Sequence, residues 1–222
     1  MLDWLRSLND SSPNLESLRD HFLGMLQDGR HTFDAASNAL VGGTRSEAVR
    51  EDLYLTDQRI NQAEQQLRRE ILVHGLVHGA STFPGLLVLM SVAKDAERIG
   101  DFAKNILELA ESGAHLGGEE EVAALVEAKN RVSQLLARAH GLFSKPSDAE
   151  ARSFLDDADE LQKTCETHMD RLVRAESPNL AAPALAWRYM KRVTSHTGNI
   201  VTSLVVPVDK LDFWPGKPQI EQ

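Results

Sequence analysis

The sequence predicts an all-α fold made of two tandem antiparallel three-helix bundles, and three observations point there. Apolar residues recur at spacings of three and four through six long segments, the period of a helix with one buried face. Clusters of Gly, Pro and Ser interrupt that pattern, and no segment alternates as a strand would. The third segment also returns later in the chain: Arg98-Ile99-Gly100-Asp101-Phe102-Ala103-Lys104-Asn105-Ile106 lines up with Arg192-Val193-Thr194-Ser195-His196-Thr197-Gly198-Asn199-Ile200, an offset of 94 residues that Pro84 and Pro178 share. The predicted division is 1–115 for the first bundle and 116–222 for the second.

The first helix spans about Pro13 to Leu40, with Leu15, Leu18, Phe22, Met25, Phe33, Ala36 and Leu40 on its inner side. Ser12 is its cap, Pro13 occupies its first turn, and Gly42-Gly43 ends it. Thr44 and Glu47 have the spacing of a capping box for a second helix, which runs to about His78. Along it Leu53, Ile60, Leu67 and His74 recur every seven residues, with Asp57, Glu64, Ile71 and His78 on the adjacent line. Pro84 opens the third helix and Ser112-Gly113 closes it. After Gly117-Gly118, three acids (Glu119, Glu120, Glu121) suit the start of the fourth helix, which carries Val122, Leu125, Ala128, Val132, Leu135 and Leu136 inward. Ser147 with Glu150 caps a fifth helix that ends near Glu176, and Ser177-Pro178 breaks the chain again. The sixth runs from about Leu180 to Val206, where Pro207 stops it. A tail with Leu211, Phe213, Trp214 and Pro215 is expected to pack back across the second bundle.

The chain has 222 residues, enough for a sizeable core, and only 5% of them are aromatic, which suits long helices packed through aliphatic side chains. No run approaches the roughly 20 apolar residues that cross a bilayer. Met1 to Arg6 lack the basic region and apolar core of a signal peptide. The single cysteine, Cys165, fits a reducing cytoplasm and a small core residue. A net charge of −9 argues against nucleic acid and anionic lipid as main partners.

The chemistry concentrates between Asp95 and Ile106. As a helix, this stretch puts Val88, Val92, Ile99, Phe102, Ala103, Ile106 and Ala110 on one stripe, and Glu97, Asp101, Asn105 and Glu108 opposite, with Lys94 and Lys104 beside them. Glu97 and Asp101, one turn apart, repel by a few tenths of a kcal/mol unless a cation sits between them. This geometry places both carboxylates away from the core, on an exposed face. Asp95 falls on the apolar stripe, so it should be buried and paired with an Arg, Asn or backbone donor from the first or second helix. His74 and His78 have metal-pair spacing, but no Glu follows as in a protease motif, and they read as packing or capping residues.

The string Asp95-x-Glu97-Arg98-Ile99-Gly100-Asp101-x-Ala103-x-Asn105-Ile106 resembles the signature of the PhoU family, regulators of phosphate uptake. The resemblance implies that Glu97 and Asp101 hold metal on the outside of the bundle, with Asp95, Arg98 and Asn105 as supporting residues. Asp57, with Ile60, Asn61 and Glu64 after it, is similar to the family's second-helix pattern, and Asp57 could complete the coordination. Oxygen-only ligands favour Mg, Ca, Mn or Fe, divalent or trivalent and mononuclear or multinuclear; Zn would normally recruit His or Cys as well. The resemblance further implies a cytoplasmic protein, peripheral to the membrane, that binds a phosphate transporter or its sensor kinase and forms homodimers. It implies no reaction.

The second copy of the motif is degenerate. Lys191 stands where Glu97 does, Ser195 where Asp101 does, and Asn199 matches Asn105. A Lys and a Ser cannot hold a divalent metal, so the second site should be absent, with Lys191 reaching Asp156, Asp159 or Glu160 on the fifth helix. The alternatives are a carboxylate-bridged metalloenzyme on a helical bundle, which needs a buried open site and a positioned base, and a metal-free helical scaffold with solvated acids.

Overall fold

The computed structural model describes residues 13–79, 82–175 and 179–214, which form six helices with no strand among them. They are α1 (Pro13–Val41), α2 (Ser46–His78), α3 (Phe83–Glu111), α4 (Glu119–Ser144), α5 (Asp148–Arg174) and α6 (Ala181–Thr202), followed by a 3-10 turn at Val208–Lys210. The expected Ser12 cap, the Ser177-Pro178 break and Pro215 lie outside the described residues.

Most helix ends follow the sequence signals. Gly43 after α1 and Gly113 after α3 have φ of +78° and +63°, the left-handed region that glycine enters without strain. The Ser147 hydroxyl accepts the Glu150 amide at 3.3 Å. The Thr44–Glu47 capping box does not form. Thr44 instead donates its backbone N–H to the Asn38 carbonyl at 3.2 Å, which ties it to the end of α1, and α2 starts at Ser46 with no side-chain cap. α6 ends at Thr202, earlier than expected; the chain on to Val206 is irregular yet buried.

α1, α2 and α3 pack on one another, and so do α4, α5 and α6. α3 also lies on α6, and α1 on α4. The buried apolar side chains of all six helices therefore form one core. Phe22 of α1 meets Phe143 of α4 with ring centroids 4.9 Å apart, and Lys129 of α4 donates to the Asn38 side-chain oxygen at 2.7 Å. The seven-residue line of Leu53, Ile60, Leu67 and His74 is buried throughout. His74 stacks on His78 at 4.0 Å, and burial together with the neighbouring imidazole lowers its pKa. His78 meets the His74 carbonyl at 3.2 Å, so the pair packs and caps the helix end. Cys165 is buried, and desolvation pushes its thiol up to about 12. Trp214 packs on α5, donating to Asp156 at 3.3 Å beneath the Arg152 guanidinium.

Candidate cation-binding seam

The seam between α2 and α3 gathers the acids that the sequence singled out. Close approach of the two helices depends on Gly100. A Cβ there would stand 3.1 Å from Ile60 Cδ1 and 3.3 Å from Asp57 Oδ1. That approach sets Asp57 of α2 beside Lys104 of α3, and Glu64 within electrostatic reach of Glu97 and Lys94.

Asp57 and Asp101 are joined by a lysine. The Lys104 ammonium lies 3.0 Å from Asp57 Oδ2 and 3.0 Å from Asp101 Oδ1, the position a bridging cation would take. Burial works to lower the Lys104 pKa, but its bonds to the two carboxylates outweigh that and raise it. Asn61 also donates to Asp57 at 3.2 Å. Arg98 donates to Asp101 at 2.9 Å and lies 3.9 Å from Glu97, which takes its main partner from Lys94 at 2.7 Å. Arg68 pairs with Glu64 at 2.8 Å, and burial raises the Glu64 pKa, with Glu97 adding to it. Asn105 borders a shallow depression with Tyr54, Arg98, Asp101 and Phe102.

Two expectations change here. Glu97 is not on an open face: it is only 9% exposed, as is natural for a flank that α2 covers, whereas Asp101 stays partly open. The helical wheel of α3 alone does not contain that neighbour. Asp95 lies on the inward stripe as expected, with 12% of its side chain exposed, but its partners are on neither α1 nor α2. His196 Nδ1 lies 2.7 Å from Asp95 Oδ1, and Asn199 donates to the same oxygen at 3.2 Å, both from α6. Phe102 stacks on His196 at 5.6 Å, and Arg192 lies over the Phe102 ring while meeting His196 Nε2 at 3.1 Å. Phe102 and His196 are counterparts across the 94-residue repeat, so the two third helices pack through equivalent positions.

The second triplet keeps half of an acid seam. Lys191 reaches α5 as expected, but at Glu166, 2.5 Å away, and not at Asp156, Asp159 or Glu160. Glu166 stands seven residues after Asp159 as Glu64 stands seven after Asp57, so it holds the place opposite Lys191 that Glu64 holds opposite Glu97. Asp159 pairs with Lys163 at 2.7 Å, and Ser195 is half-buried.

Sequence reasoning passed over Lys104 as a seam residue, Glu64 as a seam acid and His196 as a clasp. Lys104 and Glu64 were visible as charges at seam phase; His196 was visible only as the repeat counterpart of Phe102. The oxygen donors of Asp57, Glu97 and Asp101 suit a hard cation, but among the described residues no three His, Cys, Asp or Glu groups converge on one point. Their charges are met by Lys94, Arg98 and Lys104. An ion would have to replace Lys104.

Residues 22–110 match the family model for the PhoU domain. The chain is 30% identical over 113 residues to the phosphate-specific transport system accessory protein PhoU of Escherichia coli (strain K12), covering 48% of this chain and 43% of that protein. To the Edwardsiella tarda protein of the same name it is 27% identical over 113 residues. The match thus spans less than half the length of these curated relatives. The crystal structure of PhoU from Pseudomonas aeruginosa superposes with a TM-score of 0.68 at 25% identity, over 86% of this chain and 95% of that one. The phosphate transport system regulatory protein PhoU from Streptococcus pneumoniae shares the fold, with a TM-score of 0.70 at 19% identity.

Proposed function

Because the chain belongs to the PhoU family, we propose that it is a regulatory accessory protein of phosphate transport, docking on a phosphate transporter or its sensor kinase without catalysing a reaction. The observation that carries this reading is the likeness to the Pseudomonas PhoU structure along nearly its whole length, with the Glu97–Asp101 motif at the seam. The curated relatives, matched over 48% of this chain, are named as accessory proteins of a phosphate-specific transport system. The metalloenzyme reading has less support, since the described seam acids carry Lys or Arg partners and none is poised as a free base. A cytoplasmic location and a homodimer belong to the same proposal. The test is a pull-down from membranes with the tagged full chain. Recovery of a phosphate transporter subunit or its kinase is expected, and recovery of neither overturns the reading.

The seam is proposed to bind a hard cation through Asp57 and Asp101 in competition with Lys104, with Glu97 joining when its side chain leaves Lys94. An ammonium already at the bridging position lowers the affinity for any ion that must displace it. Titration with Mn2+, followed by the loss of its free-ion electron paramagnetic resonance signal, checks this. Lys104→Met should tighten binding by about tenfold or more, and Asp101→Ala should weaken it. Equal affinities in wild type and both variants would falsify the assignment.

A further inference from the structure

Six of the twelve large apolar side chains exposed among the described residues lie at one end of the molecule. Leu72, Val73, Leu76 and Val77 end α2, and Phe83 and Leu87 begin α3. Leu76 is 86% exposed and Val77 71%. On α2 the four residues fall within one arc of about 140°, turned away from the buried Ile71, His74 and Gly75. The 23 residues from 71 to 93 contain no Asp, Glu, Lys or Arg, in a chain that is 26% charged. Scattered exposed aliphatics are ordinary; a contiguous uncharged cluster marks a contact surface.

We propose that this hairpin end docks on the surface of a lipid bilayer, inserting Leu72, Val73, Leu76, Val77, Phe83 and Leu87 at the boundary of headgroups and acyl chains. Three features favour lipid over a protein partner. The cluster is aliphatic apart from one Phe and has no exposed Trp, Tyr or Arg at its centre, the residues that anchor specific protein contacts. It sits at the end of a helix hairpin: Val73 and Val77 edge a hollow with Ser17, Arg69, Glu70 and His78, but Leu72, Leu76, Phe83 and Leu87 are not among the residues that line it. Charged side chains begin just below the cluster, with Glu70, Arg69 and Arg68 about 3, 4.5 and 6 Å before Leu72 along α2, so the apolar end can enter the lipid boundary while this mixed ring stays at headgroup level. No described helix is long and apolar enough to cross a membrane, so the contact is interfacial. The acidic body, which gives the chain its net charge of −9, is then left facing water. This surface is separate from the α2–α3 seam, and the proposal does not depend on the transporter-docking reading.

The test is co-sedimentation of the full chain with phosphatidylcholine vesicles, without and with added phosphatidylglycerol. Binding is expected on both and should persist at high salt, because the contact is apolar. Leu76→Asp with Val77→Asp should weaken it by about tenfold or more; both positions are exposed, so an unchanged circular-dichroism melting curve is expected alongside. In a Leu76→Trp variant, vesicles should shift the added indole emission to the blue, and lipids brominated in the acyl chain should quench it. Absence of wild-type binding to either vesicle, or binding that the double variant leaves intact, overturns the proposal. So does a dimer in light scattering that the double variant abolishes without any vesicle binding, which would assign the surface to a second copy. Binding only to vesicles that carry a membrane protein partner likewise overturns it.

Discussion

Asp95 shows what one residue can reveal. A carboxylate on an apolar stripe is costly without a partner, so the sequence required one, and His196 and Asn199 meet that need from the opposite triplet. Arg192 against His196 Nε2 makes that nitrogen the acceptor, which leaves the imidazole proton on Nδ1 facing Asp95. Asp95→Ala removes the acceptor and strands both donors in a nearly closed site. The expected loss is about 1–3 kcal/mol in urea unfolding. A cycle with His196→Ala should show coupling between the two positions; additive losses would mean that they do not interact.

At the scale of elements, α2 and α3 are held by a compromise at Gly100. Glycine inside a helix is unfavourable by roughly 0.5–1 kcal/mol relative to alanine. Here its lack of a side chain lets Ile60 and Asp57 come close and so brings Asp57 to Lys104. In Gly100→Ala the propensity gain and the contact at 3.1 Å oppose each other, so the net change should stay within about 1 kcal/mol. Gly100→Leu has no comparable compensation and should cost about 2 kcal/mol or more, by pushing the helices apart. A melting temperature for Gly100→Leu equal to that of the wild type would show that the approach is not tight.

For the whole molecule, the decisive fact is that α3 packs on α6 and α1 on α4, which merges the triplets into one core. Helices that share a core lose their stabilising contacts together. Thermal unfolding should therefore be one transition, with far-ultraviolet circular dichroism of all six helices coinciding with the near-ultraviolet signal dominated by the buried Trp187 of α6. Two separated transitions would mean that each triplet folds alone.

The sequence by itself determined the six helices, because a buried face leaves a period of three to four in a single chain and because Gly43, Gly113 and Ser147 end or begin a helix through local backbone physics. The repeat was equally legible, since an offset needs no coordinates. The depth of Glu97, the placement of Lys104 between two carboxylates, the choice of Glu166 by Lys191 and the partners of Asp95 were decided by tertiary structure. Each depends on the register and distance between helices far apart in the chain. A helical wheel fixes the direction of a side chain about its own axis, but not what stands opposite it.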